Sequence, residues 1–344
     1  MCLVPLNCVI TAKAQCTHFV GDISRMTENR MQTLRYKDMG RRRGIRIRMS
    51  ENWEKRRKMR SERQTTSFTK GLSDRDFNRL GVFIENVCGI KMEQPKRSML
   101  ESRLMKRMRA TGITTVHEYV DYLFSPEGQA HEQIHMINVV TTNKTDFFRE
   151  PAHFTFLTET VLPSLLDDVT PGKNVLVWSA GCSTGEEPYT LAMVMSEYGA
   201  NCRNFNFSIL ATDISTQVLD AAGHGVYDEE KVEPVPMTFR RKYLLRSKDR
   251  TRGLVKISPE VRSRIQFQRL NLMDEDFSIQ NPVDVVFCRN VIIYFDRPTQ
   301  KRLITRFIEH LRPGGYLFLG HSESLNGLNL PLIQAASTVY RRPL

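Results

Sequence analysis

A chain of 344 residues, 40% of them apolar, is long enough for one large or two modest domains and supplies the material of a real core, which excludes a wholly disordered polypeptide. The formal net charge of +12 is concentrated at one end: residues 1–70 carry 17 Lys or Arg against 6 Asp or Glu, and the remainder carries 33 against 32. The body is therefore near neutral and offers no global charge argument for a nucleic-acid partner. Seven cysteines without C-x-x-C spacing point to neither a zinc site nor a disulfide scaffold, so the expected setting is a reducing cytoplasm and no metal is expected. No apolar run approaches the roughly 18–20 residues that span a bilayer, and M-C-L-V-P-L-N-C-V-I lacks the early basic segment of a signal peptide.

Residues 1–70, with R-R-R-G-I-R-I-R-M at Arg41–Met49 and E-K-R-R-K-M-R at Glu54–Arg60, read as a basic, disordered extension. Helical periodicity begins with Asp74–Val87 and Lys96–Met108, where Leu100, Leu104 and Met108 form one stripe, and continues in Val116–Leu123 and Glu132–Val139. An all-helical domain is thus expected over 71–137. Lys96, Arg97, Arg103, Lys106 and Arg107 lie on its second helix as a basic face, either simply solvated or a docking surface for an acidic protein.

From 138 to 344 the pattern changes. After helical segments in Asp146–Leu166, strand candidates at Asn174–Ser179, Phe207–Thr212, Val283–Cys288 and Tyr316–Gly320 alternate with helices at Glu187–Tyr198, Ser215–Ala222 and Thr299–Leu311. That alternation predicts a mostly parallel, three-layer α/β sheet. Between residues 227 and 268 the rhythm breaks, and L-V-K-I and R-I-Q-F there predict a small strand-rich insertion.

The segment N-V-L-V-W-S-A-G-C-S-T-G-E-E at Asn174–Glu187 joins the first strand to a helix through a glycine-punctuated turn. Gly181 and Gly185 suit tight turning and close backbone approach to a ligand. G-C-S-T-G is also a G-x-S-x-G string, and a hydrolase would use Ser183 as nucleophile, Asp284 or Asp213 as acid and His321 as base. A nucleophile elbow normally follows several earlier strands, whereas this strand is the first. The other chemistry is a nucleotide-like cofactor, with Asp213 ending the second strand in A-T-D as a ribose acceptor. Asp213 lies 28 residues beyond Gly185, longer than the dinucleotide spacing of about 20, so a nicotinamide dehydrogenase fits less well.

Five motifs in order carry a resemblance: T-N-K-T-D-F-F-R-E at Thr142–Glu150, W-S-A-G-C-S-T-G-E-E-P-Y at Trp178–Tyr189, A-T-D-I at Ala211–Ile214, C-R-N-V-I-I-Y-F at Cys288–Phe295 and G-H-S-E-S at Gly320–Ser324. On these the chain resembles the CheR-type chemotaxis receptor methyltransferases, from about Leu72 to Val339. The resemblance implies a Rossmann-like S-adenosylmethionine-dependent methyltransferase sheet with a small antiparallel β insertion and an N-terminal all-helical domain. It implies methylation of chemoreceptor glutamates by a monomeric enzyme, with Arg149 and Tyr294 at the reaction centre. Asn143, Thr145, Arg149, Glu187, Asp213, Asn271, Leu272 and Asn290 would contact S-adenosylmethionine. Receptor docking would use the basic helical face and, in some members, a receptor-tail peptide held by the insertion. Residue types alone leave quieter roles open: Arg149 as a salt-bridge partner, Glu187 as a helix-terminus charge, Tyr294 as a core aromatic. A nucleic-acid or small-molecule methyltransferase is the rival. Asn290 and Tyr294 share the asparagine-to-tyrosine spacing of amino-group methyltransferases, but Val291, Ile292 and Ile293 stand where those have a proline pair.

Overall fold

The computed structural model describes residues 71–167, 174–202 and 204–344; the basic extension at 1–70 lies outside them. The helical part runs α1 (Asp74–Cys88), α2 (Arg97–Thr111), α3 (Val116–Phe124), α4 (Pro126–His131) and α5 (Gln133–Val140). Its boundaries follow from capping chemistry. Ser73, Thr115 and Ser125 each accept a backbone N–H of the first turn they precede, and Gly89 (φ 70°) and Gly112 (φ 77°) end α1 and α2 in the left-handed conformation. The stripe Leu100, Leu104 and Met108 packs with Phe77, Leu80, Ile84, Tyr119, Leu123 and Met136 into one buried cluster.

A carboxylate sits inside that cluster. Glu132 is 3% exposed; it accepts Arg107 Nε at 2.7 Å, Arg107 Nη2 at 2.8 Å and Tyr119 Oη at 2.7 Å. Burial alone would raise its pKa, but the hydrogen bonds from Arg107 and Tyr119 outweigh burial and hold it below the usual value.

Next come α6 (Ala152–Phe156), a π-helical turn (Leu157–Val161) and α7 (Leu162–Asp167), and then the sheet region. It contains β1 (Asn174–Ala180), α8 (Glu186–Asn201), β2 (Asn206–Asp213), α9 (Thr216–His224), β3 (Val226–Asp228), α10 (Met237–Tyr243), β4 (Leu244–Arg246), β5 (Leu254–Ile257), α11 (Pro259–Arg262), β6 (Ile265–Arg269), β7 (Val283–Cys288), α12 (Arg297–His310), β8 (Leu311–Leu319), β9 (Ile333–Ala336) and β10 (Val339–Arg341). The large sheet has the order β6-β2-β1-β7-β8-β10-β9; the first five strands are mutually parallel, β10 runs antiparallel to β8, and β9 runs antiparallel to β10. Alternation along the strands feeds two cores: Val175, Val177, Tyr316 and Phe318 face one, Trp178, Ala180, Leu317 and Leu319 the other. Helix α8 covers the first face and α12 the second, burying Leu303, Ile304, Phe307 and Ile308. At about 1.5–3 kcal/mol for each such side chain, packing of this kind rather than propensity holds α12 in place.

The insertion is a separate three-stranded antiparallel sheet, β3-β5-β4. L-V-K-I forms its central strand, as expected. R-I-Q-F does not belong to it: Ile265–Arg269 pairs in parallel with β2 and forms the edge of the main sheet.

Replacing Glu132 with Ala strands Arg107 and Tyr119 Oη in the helical core. Breaking a fully buried pair on one side costs about 3–5 kcal/mol; with the Arg107 side chain still 18% exposed, urea unfolding of Glu132→Ala should show a loss at or below the lower end of that range. Because the folded-state carboxyl is held below its unfolded value of about 4.3, its contribution is fully present above that pH and is lost as pH falls through the lower folded value.

Candidate active site

The sheet changes direction between β1 and β7, since the chain runs outward through β2 to β6 and then returns to place β7 on the other side of β1. Parallel strands bring their carboxyl ends to one rim, and a crevice opens where the order reverses. The cleft there encloses about 990 Å³ including its open mouth. Its walls come from the ends of β1 (Gly181, Ser183), β2 (Asp213, Ile214), β6 (Leu270, Asn271) and β7 (Arg289, Asn290), from Cys88 at the end of α1 and from Ile90 just after it.

The glycine turn is built onto the neighbouring strand. Gly181 and Cys182 both donate their N–H to Thr212 O, at 2.8 and 2.9 Å. Gly181 has φ 80°, and a Cβ there would lie 2.6 Å from Val291 Cγ2, so both backbone conformation and space demand glycine. Ser183 N–H donates to Asp213 Oδ2 at 2.9 Å, and Ser215 N–H to Oδ1 at 2.9 Å. Burial raises the Asp213 pKa, opposed by these amide donors. Ser183 Oγ donates to Asn143 O at 2.8 Å, which ties the T-N-K-T-D loop to the turn. Asp284 Oδ2 accepts Leu176 N–H at 2.8 Å while the other oxygen faces Arg312, and His321 lies beside Glu150. The geometry does not assemble a Ser–Asp–His constellation.

A second set of charges converges from β7. Arg289 is 7% exposed; its Nη1 lies 3.7 Å from Glu187 Oε2, its Nε 3.4 Å from Glu150 Oε2, and its guanidinium stands 5.5 Å over the Phe154 ring. Neither Nε nor Nη1 has a hydrogen-bond partner. Glu187 accepts Ser179 Oγ at 2.7 Å; burial raises its pKa, with Arg289 the strongest opposing influence. The sequence reading passed over Arg289, although an arginine directly after the apolar run V-D-V-V-F-C is a signal, because buried arginines are rare without partners.

The cleft brings together every residue assigned to cofactor or catalysis from sequence: Asn143, Thr145, Arg149, Glu187, Asp213, Asn271, Leu272, Asn290 and Tyr294 all line it. Arg149 is half-buried, with Nη1 donating to Lys144 O at 3.2 Å. Asn271 Nδ2 donates to Val87 O at 2.7 Å, joining the sheet to the helical part. The five basic docking candidates lie outside the lining. Arg97 bonds to Leu72 O and Asp74, Arg103 to the carbonyls of Val140 and Thr141, Arg107 to Glu132, and Lys96 to Lys91 O; Lys106 is exposed.

The donor set fits S-adenosylmethionine. Asp213 retains lone pairs beyond its two amide donors for a ribose diol, and the unsatisfied Arg289 N–H groups beside the Glu187 carboxylate suit a zwitterionic amino-acid end. Fold and cleft define the class: a Rossmann-like, S-adenosylmethionine-dependent methyltransferase. Residues 75–141 match the CheR methyltransferase all-alpha domain and residues 143–341 the CheR methyltransferase SAM binding domain. The chemotaxis protein methyltransferase of Klebsiella aerogenes is 40% identical over 271 residues, covering 78% of this chain and 90% of that one. Those of Borreliella burgdorferi and Escherichia coli are 38% and 36% identical, covering 76% and 78% of this chain and 93% and 91% of theirs. The chain belongs to the CheR methyltransferase family.

Lys231, from the insertion, holds the loop that lines the cleft: Nζ reaches Thr145 O at 2.5 Å, Asp146 Oδ1 at 2.8 Å and the buried Glu186 Oε1 at 3.6 Å. Lys231→Met should raise KM for S-adenosylmethionine by about tenfold, the equivalent of one charge-assisted hydrogen bond, with a smaller change in kcat, measured by steady-state kinetics.

Proposed function

We propose that this chain is a protein-glutamate O-methyltransferase that methylates side-chain carboxylates of chemoreceptors, releasing glutamyl methyl esters and S-adenosylhomocysteine. The observation that carries the reading is the convergence of Asn143, Thr145, Glu187, Asp213, Asn271 and Asn290 on one cleft together with Arg149 and Tyr294. Asp213 would accept the ribose hydroxyls, Asn271 and Leu272 would flank the adenine, and Glu187 with Arg289 would face the amino-acid end. Asn143, Thr145 and Asn290 would close the cradle.

Bound S-adenosylmethionine supplies an electrophilic methyl group on a sulfonium. A glutamate with pKa about 4.3 is already an anionic nucleophile at neutral pH, so no general base is needed. The residues of the chain therefore align rather than activate. Arg149 retains N–H donors beyond its bond to Lys144 O and would orient the incoming carboxylate; a tight bidentate pair would stabilise the ground state and blunt attack. Tyr294 would wall the cleft and donate a hydrogen bond, and exclusion of water would sharpen both effects.

The substrate partner is the cytoplasmic domain of a chemoreceptor, which places the enzyme in the cytoplasm. Among the described residues no helix is long and apolar enough to cross a membrane. A receptor tail would add to the insertion at β4, an edge strand whose Leu245 is 51% exposed. The basic face of α2, with Lys106 its exposed cation, would meet acidic receptor surface.

Calorimetry with S-adenosylhomocysteine should show binding about 10- to 100-fold weaker in Asp213→Ala, the loss of a hydrogen bond to a charged group. Since burial raises the Asp213 pKa, wild-type affinity should fall on acidification at a pH above the ordinary aspartate value of about 3.9, and this dependence should be reduced in Asp213→Asn. Incubation with labelled S-adenosylmethionine and a chemoreceptor should give base-labile esters; label on nucleic acid alone defeats the assignment.

A further inference from the structure

Beside the cleft, and outside its lining, three side chains turn donor atoms toward one point. Glu150 Oε2 lies 3.5 Å from His153 Nδ1 and 3.9 Å from His321 Nε2, and one donor atom from each of the three residues falls within 4.8 Å of the other two. Donors on a tetrahedral ion, with bonds of about 2.0–2.2 Å, stand about 3.3–3.6 Å apart; the Glu150–His153 pair already has that spacing, and an inward movement of the exposed His321 ring completes the set. We propose that Glu150, His153 and His321 form a site for a divalent transition-metal ion of the Zn²⁺, Co²⁺ or Ni²⁺ class.

The independent observation is His153. It is 3% exposed, and its Nδ1 has no hydrogen-bond partner although buried. Its other nitrogen, Nε2, lies 3.1 Å from Thr338 Oγ1. With the ring proton on Nε2 and donated to that hydroxyl, the Nδ1 lone pair points at Glu150, the outer-partner arrangement that orients metal-binding imidazoles. Glu150 is prepared in the same way. Its Oε1 accepts His321 N–H at 3.3 Å and Asn290 Nδ2 at 3.4 Å, while Oε2 is buried and accepts no hydrogen bond. Arg289 Nε stands 3.4 Å from Oε2; it orients the carboxylate from outside the donor set and offsets its charge, which tempers affinity. His321 is exposed and leaves one side of the site open to solvent. Two imidazoles and one carboxylate with an open position favour borderline metals over Ca²⁺ or Mg²⁺.

The test uses the full chain, stripped with a chelator and titrated with Zn²⁺ alone in a calorimeter, and separately with Co²⁺ followed by absorption. The expected result is one site that weakens about tenfold or more in His321→Ala and about 10- to 100-fold in Thr338→Val, as for loss of an outer partner. The Co²⁺ complex should lack thiolate charge-transfer bands. Absence of a Zn²⁺ site in the wild type, equal binding by wild type and His321→Ala, or a thiolate spectrum from the chain's cysteines would overturn the proposal. His321 is a surface side chain, so its removal leaves the fold intact, which thermal unfolding checks. Affinity for S-adenosylhomocysteine, measured on the same samples, separates failure here from failure of the cofactor assignment.

Discussion

Asp213 ends the second strand with its carboxylate almost out of solvent, and the turn that follows the first strand is built on it. Parallel pairing sets β1 and β2 in register from Asn174↔Asn206 to Ala180↔Thr212, so their carboxyl ends finish together at one rim. The last carbonyl of that ladder, Thr212 O, takes the amides of Gly181 and Cys182, and the next side chain takes the amide of Ser183. The glycine turn is therefore fixed to its neighbour strand rather than left as a free loop. The same carboxylate accepts Ser215 N–H at the entrance to α9, and the backbone of Gly181 runs so close to Val291 after β7 that a Cβ there would meet its side chain. Three strand ends are locked to one another before any ligand arrives, the preorganisation that alignment chemistry requires. Burying the charge of Asp213 is unfavourable, and the backbone amides offset it only in part, so its pKa stays raised.

Much of this was legible in the sequence, and the exceptions have physical causes. The glycine turn and the acid at the end of the second strand sit where strands end, so strand pattern and motif together place them. Strand β6 was misassigned because it is the exposed edge of a parallel sheet, and its half-buried alternation matches that of a strand in an antiparallel insertion. Strands β9 and β10 were missed because they are short: Ile333–Ala336 is also largely exposed, and Val339–Arg341, though mostly buried, spans three residues and carries little pattern. Arg289 escaped notice because its significance is tertiary. Only the fold brings Glu150 and Glu187 around one guanidinium.

The basic face of α2 teaches the converse lesson. Helical spacing sets Lys96, Arg103 and Arg107 on one face, with Arg97 and Lys106 added as docking candidates, but spacing does not reveal which charges a fold consumes. Arg107 is half of a buried pair with Glu132, 25 residues away. Arg103 reaches Val140 O and Thr141 O and, through Nη2, Thr142 Oγ1 at 3.1 Å, and Thr141 and Thr142 line the cleft. One of the supposed docking residues thus braces the wall of the active site. Substituting Arg103 would disturb the cleft wall and any receptor contact together, so loss of activity in such a variant does not by itself locate a docking surface.

On the proposed function, the two arginines at the cleft divide their work by what already holds them. Arg289 is buried between Glu150 and Glu187, so its charge is largely answered within the protein, and a substrate carboxylate gains little there. Arg149 is half-buried, and one nitrogen rests on a backbone carbonyl that carries no net charge. Its field remains available to an incoming glutamate. An enzyme that alkylates a carboxylate must attract the anion without quenching it, because every hydrogen bond that tightens in the ground state adds to the barrier. A buried guanidinium held between two carboxylates beside the cofactor and a half-buried one resting on a neutral carbonyl satisfy both demands at once.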